Sequence, residues 1–255
     1  MSGPEGLVAE FGFWTLAAVA LAALVTSSIH GAVGVAGGFL MTAVLSLLIG
    51  VRPVVPVMSV ALTISHLSRS LLNLRAVERS VLLAILAFAL PMIVVGALLY
   101  GILPVRVIAL VLGIVILSSI PVRRWAKSLE IKASKRTLSL VGAVYGFLAG
   151  GSIGSQMLLA PFMLGYGLTK EAFVATMAVV AFSTNIARIT VFGGTQLLDA
   201  HYVLMGVLIG LAMIPGNWIG RTILRRMAPS THSGLIDLFA AVGGLNFLYL
   251  AATGS

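Results

Sequence analysis

Two arginines, Arg69 and Arg188, stand inside otherwise apolar runs of a 255-residue chain, each with polar neighbours at helical spacing. Ser65, His66 and Asn73 accompany the first; Ser183, Thr184 and Asn185 accompany the second. Positions 62, 66, 69 and 73 share one helix face, so His66, Arg69 and Asn73 are expected to line one wall, with Ser65 at its edge. Thr184 and Arg188 are one turn apart, with Asn185 adjacent. These groups mainly donate hydrogen bonds and carry positive charge, while carboxylates are nearly absent from the apolar runs. The chemistry on offer is capture of an anion, and guanidinium forks suit a planar or tetrahedral oxyanion. The competing reading is structural. Ser and Thr bond back to their own helix, Asn joins helices, and both arginines lie close enough to segment ends to snorkel toward the interface. His66 titrates near physiological pH in its ordinary state and is one candidate for a coupled proton. Asp237 is the other, although pairing with Arg221 or Arg225 is the simpler role for it.

A Gly-rich, charge-free stretch precedes each polar helix: Gly34-Val-Ala-Gly-Gly-Phe-Leu-Met-Thr-Ala43 and Ser152-Ile-Gly-Ser-Gln-Met-Leu-Leu-Ala-Pro161. Glycine lets backbone amides approach a ligand, and a helix starting after such a bend aims the positive end of its dipole there. Gly34, Gly37 and Gly38 in the first copy, and Ser152, Gly154, Ser155 and Gln156 in the second, are therefore candidate substrate contacts. Glycines also let membrane helices pack closely, so the string alone is weak; its duplication carries the weight.

The elements that must position these groups follow from composition. The chain is 60% hydrophobic and 9% charged, with a mean hydropathy of +1.13. Apolar runs fall near 11–32, 35–51, 54–74, 80–102 and 105–121, then 138–151, 153–168, 172–192, 201–220 and 233–252. This predicts an all-α polytopic membrane protein of two sets of five segments. The runs 35–51, 138–151 and 153–168 are short for a crossing of about 20 residues, which predicts broken or re-entrant helices. Ala43 and Pro161, Arg52 and Lys170, and Ser65 and Ser183 are each 118 residues apart. Pro91 and Pro215, and Gly96 and Gly220, are 124 apart, which places an insertion near 193–199. The expected organisation is a first transmembrane repeat at 1–121, a basic cytoplasmic linker at 122–137 and a second repeat at 138–255.

Charge sets the expected orientation. The segment 122–136 holds Arg123, Arg124, Lys127, Lys132, Lys135 and Arg136 against Glu130 alone, so it belongs on the cytoplasmic side. Threading outward from it puts both termini outside and makes the two Gly-rich hairpins enter from opposite faces, an inverted repeat. The net charge of +9 is spread between apolar runs rather than on one face, which argues orientation and not nucleic-acid binding. No cysteine is present, so there is no disulfide framework and no thiolate site. Glu5 and Glu10 before the first run, without a basic n-region, predict that no signal peptide is cleaved. No metal-ligand spacing or cofactor motif is present. An intramembrane enzyme is a poor fit, since neither an HExxH pair nor a Gly-Asp pairing occurs.

Gly34-Val-Ala-Gly-Gly-Phe-Leu, the basic turn at Arg52, the Ser/Thr-rich helix to Asn73 and the second copy from Gly151 together resemble the TauE/SafE sulfite exporter family over nearly the whole chain. The resemblance implies a carrier or exporter of sulfite, sulfonates or related organosulfur anions. Together with the apolar runs and the inverted repeat it predicts a bacterial inner-membrane transporter that exports sulfite or an organosulfonate by alternating access, with proton coupling through His66 or Asp237 as an option and the lipid bilayer and a small anion as its partners. Two departures stand out. Ala43 replaces a proline that family sequences commonly carry, as Pro161 does in the second copy, and Ser155-Gln156 replaces a Gly-Gly pair. An anion channel and a noncatalytic assembly subunit are the alternative functions. The sequence leaves homodimer formation open.

Overall fold

A bilayer offers the backbone no hydrogen bonds, so long Leu/Val/Ala-rich runs satisfy their own amides as helices. The computed structural model describes residues 9, 11–33, 36–128, 132–224 and 229–253, and among these there is no strand. The α-helices are α1 (Phe13–Val33), α2 (Ala36–Ile49), α3 (Val54–Asn73), α4 (Arg79–Ile102), α5 (Val105–Ser128), α6 (Lys135–Gly151), α7 (Ala160–Gly165), α8 (Lys170–Gly194), α9 (Ala200–Leu224) and α10 (Pro229–Thr253). Four stretches, Arg79–Ile102, Val105–Val122, Glu171–Gly194 and Ala200–Gly220, are long and apolar enough to cross a membrane, and the remaining apolar helical stretches are shorter. Large apolar side chains such as Leu83, Phe88, Leu140, Leu211 and Leu245 point outward. An apolar solvent accepts that arrangement.

The short segments differ from one another for a local reason. In the run 153–168 the chain makes a 3-10 turn over Ser155–Leu158 and restarts as the six-residue α7. Pro161 has no N–H to continue a helix across this point. At the corresponding place in the first copy stands Ala43, buried in the middle of an unbroken α2. The departure from proline thus leaves one copy continuous and the other broken. Gly50 and Gly167, both at positive φ, follow α2 and α7, just before the turn that carries Arg52 and the start of α8 at Lys170. The helical linker is also longer than hydropathy implies: α5 runs past Pro121 to Ser128, and α6 starts at Lys135 behind a capping box of Ser134 and Thr137.

Packing ties the beginning of the chain to its end. The main helix pairs are α4 with α6, α9 with α1, α5 with α10, α3 with α8, α9 with α3, α4 with α8 and α1 with α2, the last without an equally extensive counterpart between α6 and the short α7. Two separate buried clusters result. One is built from Val81, Ile85, Ala89 and Ile93 of α4 with Leu138, Tyr145 and Ala149 of α6, Met163 of α7 and Val180 of α8. The other joins α1, α2, α3, α5, α9 and α10, and takes in Ala97, Tyr100 and Phe192 from the far ends of α4 and α8.

Candidate functional site

Between α3, α6, α8 and the broken element lies a small cavity of about 30 Å³, lined by residues from both halves of the sequence. That is room for about two waters. From the second copy come Ser152, Gly154, Ser155 and Gln156 of the break, and Thr184, Asn185 and Arg188 of α8. The first copy supplies Gly38, in the first turn of α2, and His66 with Leu62 on α3. The Leu62–His66 face expected from spacing is therefore the one turned inward. No Asp or Glu lines the cavity.

Arg188 dominates its chemistry. The side chain is 5% exposed, and it turns inward rather than snorkelling to the interface. Its Nη1 donates to the Ser152 carbonyl at 3.1 Å, and Nη2 donates to Asn185 Oδ1. Nε is buried with no hydrogen-bond partner. Asn185, one turn before Arg188 on α8, holds the guanidinium by one edge, while the C-terminal end of α6 offers the Ser152 carbonyl because the helix stops there. The break in the second copy thus supplies the acceptor that orients the cation. A buried charge bonded to neutral groups alone is costly in a low-dielectric interior, and a bound anion relieves that cost.

The hydroxyls behave more modestly. Ser152 Oγ donates to the Leu148 carbonyl at 2.6 Å, the back-bonding expected of a structural serine. Thr184 Oγ1 donates to the Ala181 carbonyl at 3.0 Å, so in its 3.1 Å contact with Tyr145 the tyrosine hydroxyl is the donor. Tyr145 lines the cavity too and was not among the residues expected from sequence. Its signal was a phenol in a Gly/Ala-rich run, seven residues and so about two turns before Ser152.

Other expected residues fall elsewhere. Ser65 is buried but accepts from Asn217 Nδ2 of α9 at 3.1 Å and does not line the cavity. Ser183 is half-buried on the flank of α8, outside the lining, and Gly37 lies within α2. Asp237 is half-buried in α10 and also stands apart from the cavity. Gly34 lies outside the described residues, as do the side chains of Arg69 and Asn73, which sit on α3. The element after the second Gly-rich bend is a four-residue 3-10 turn followed by the six-residue α7, with Pro161 at the start of the latter. Any dipole aimed into the cavity from that side is correspondingly short.

A family model described as Sulfite exporter TauE/SafE matches residues 19–247. No curated protein and no solved structure matches the chain.

Proposed function

This chain belongs to the Sulfite exporter TauE/SafE family, and from that premise we propose that the Arg188 cavity binds sulfite or an organosulfonate and exposes it to the two membrane faces in turn. Family membership and the apolar helices make the protein a multi-pass membrane transporter of small anions. The observation that carries the site assignment is the buried guanidinium with an unpartnered Nε, in a cavity without a carboxylate. Asn185, Gln156, His66 and the Tyr145–Thr184 pair supply further polar contacts around it. In this reading Arg188 and backbone amides of the break replace the hydration of the oxyanion, and the seam between α3 and α8 opens to either side.

Two repeats, 1–121 and 138–255 joined by the linker 122–137, fit the packing. Exchanging α1–α5 for α6–α10 turns the α4–α6 pair into α9–α1 and the α9–α3 pair into α4–α8. The α3–α8 and α5–α10 pairs map onto themselves. A two-fold relation between the copies requires that pattern, and inverted copies are a common basis of alternating access. The basic linker faces the cytoplasm in this reading. In the cysteine-free chain, a single cysteine at Lys132 is expected to resist an impermeant maleimide added outside intact cells; labelling there refutes the orientation.

Thermal unfolding of the purified protein in detergent tests the substrate class. Sulfite and taurine are expected to raise the transition temperature in a concentration-dependent way, since a ligand bound only by the folded state stabilises it. Acetate is expected to act less. The absence of any response to sulfur oxyanions at millimolar concentration would count against the assignment.

A further inference from the structure

Sorted by core rather than by sequence, the helices form two interleaved bodies. The smaller comprises α4, α6, α7 and α8, and the larger α1, α2, α3, α5, α9 and α10. Each body contains helices of both copies. Inside them, backbones touch. A Cβ on Gly142 would meet the Ile85 carbonyl oxygen at 2.8 Å, and one on Gly150 the Ile93 carbonyl oxygen at 2.6 Å, which locks α6 onto α4. In the larger body, a Cβ on Gly216 of α9 would lie 2.6 Å from the Leu24 carbonyl oxygen of α1. Interhelix polar bonds reinforce the same grouping. Asn217–Ser65 and Asn246–Ser46 (3.3 Å) lie within the larger body, and Tyr145–Thr184 and Arg188–Ser152 within the smaller.

Where the bodies meet, the packing changes character. Along the α3–α8 seam lies the cavity, with His66 on one wall and Arg188 on the other. At one end of that seam the turns 50–53 and 195–199 and the end of α4 converge. There Tyr100 donates to the Arg52 carbonyl at 2.8 Å, Arg52 Nη2 donates to the Gly101 carbonyl at 2.5 Å, and the Tyr100 ring lies 5.5 Å from that of Phe192. Tyr100 and Phe192 come from the smaller body but are buried in the core of the larger. They seal the seam at this end.

We infer that the protein changes access by parting these two interleaved bodies, with the Tyr100–Arg52–Phe192 clasp as the gate at one end, and not by rocking one sequence repeat against the other. The inference rests on the reading of the chain as an alternating-access carrier. Its physical basis is that backbone-to-backbone seams do not slide, whereas a seam containing a cavity and one polar clasp has two arrangements to choose between.

The absence of cysteine from the sequence makes a decisive comparison simple. Ser46→Cys with Asn246→Cys, joined by a short reversible thiol cross-linker, ties the two repeats together inside one body. Arg52→Cys with Gly101→Cys ties the two bodies together inside one repeat. Sulfite flux is measured in vesicles, and access to the cavity is measured separately by maleimide labelling of Gln156→Cys added to each background. The 52–101 bridge is expected to lower both flux and labelling from the side of the clasp by at least about tenfold, with recovery on reduction. The 46–246 bridge is expected to change neither by more than about twofold. The reverse pattern overturns the inference, as does an equal response to both bridges or a cavity cysteine that never labels from the clasp side. If the unbridged backgrounds that keep Gln156 move no sulfite while their Gln156→Cys derivatives label from the clasp side, the functional reading alone is refuted, because labelling still decides between the bridges.

Discussion

Arg188→Gln is expected to abolish the response to sulfite, weakening binding by about two orders of magnitude. The guanidinium is buried and its charge has no carboxylate in the cavity to answer it. Removing one member of a buried, hydrogen-bonded charge pair typically costs ~2–5 kcal/mol, and ~3 kcal/mol corresponds to a factor of roughly one hundred. Gln keeps a donor for the Ser152 carbonyl but lacks both the charge and the fork. Without ligand, two effects oppose each other: a buried unanswered charge disappears, and Asn185 Oδ1 loses its donor. The ligand-free transition temperature therefore discriminates poorly, and the sulfite-induced shift is the quantity to read. Arg188→Lys should fall between, losing roughly tenfold, because an ammonium retains the charge without the planar geometry. If Arg188→Gln responds to sulfite as the wild type does, the arginine is a structural strut between α8 and the end of α6, and the anion site lies elsewhere.

Such a site was partly legible in the sequence, and the division follows from what sequence periodicity can report. Arg188 and Thr184 stand one turn apart in an apolar run, a pattern that needs only helical geometry to place both on one face. The Gly-rich break was legible for a similar reason, since its residues cannot be paid for by an ordinary lipid-facing helix. Tyr145 was not, because its role depends on α6 meeting α8, and long-range contact between two helices leaves no mark on either one's period. Ser65 is the opposite case, expected at the site from its position but outside the cavity lining. It shares the α3 region with His66, yet Asn217 of α9 takes it up, and nothing in residues 54–73 announces an amide 152 positions away. The contrast between α2 and α7 was visible as Ala43 against Pro161, but its consequence, one continuous helix and one broken one, needed the backbone. Nine of the ten apolar runs matched a continuous helix in their interiors, the run 153–168 being broken, and the match was poor at the end of α5 and the start of α6, where Arg and Lys lie in helix that hydropathy reads as finished.

Substituting Gly146 should do more damage than any other single change on α6. A Cβ at Gly146 would stand 2.7 Å from the Ala89 Cα and 2.8 Å from its carbonyl carbon. The Ala89 carbonyl oxygen would lie nearer still, and ordinary contact begins at 3.4 Å, so the two backbones must separate by about 1 Å. No rotamer change relieves the clash, because the atoms met are main chain. Within a bilayer, close packing supplies the adhesion that the hydrophobic effect supplies in water, and a spread seam loses it along the whole row of Gly142, Gly146 and Gly150. Gly146→Ala is expected to cost ~1–3 kcal/mol, the range typical of an overpacked core, and Gly146→Leu to yield no folded protein. Gly193→Ala is the matched control: it is also a helical glycine, but a Cβ there meets nothing within 4 Å. The alanine should be neutral or stabilise by a few tenths of a kcal/mol up to ~1, through helix propensity. Thermal unfolding of the two alanine variants in one detergent reads the difference directly, and Gly146→Leu is read by the absence of a folded species. Equal stability of Gly146→Ala and Gly193→Ala would mean that α4 and α6 have slack between them, and with slack there the smaller body is not rigid.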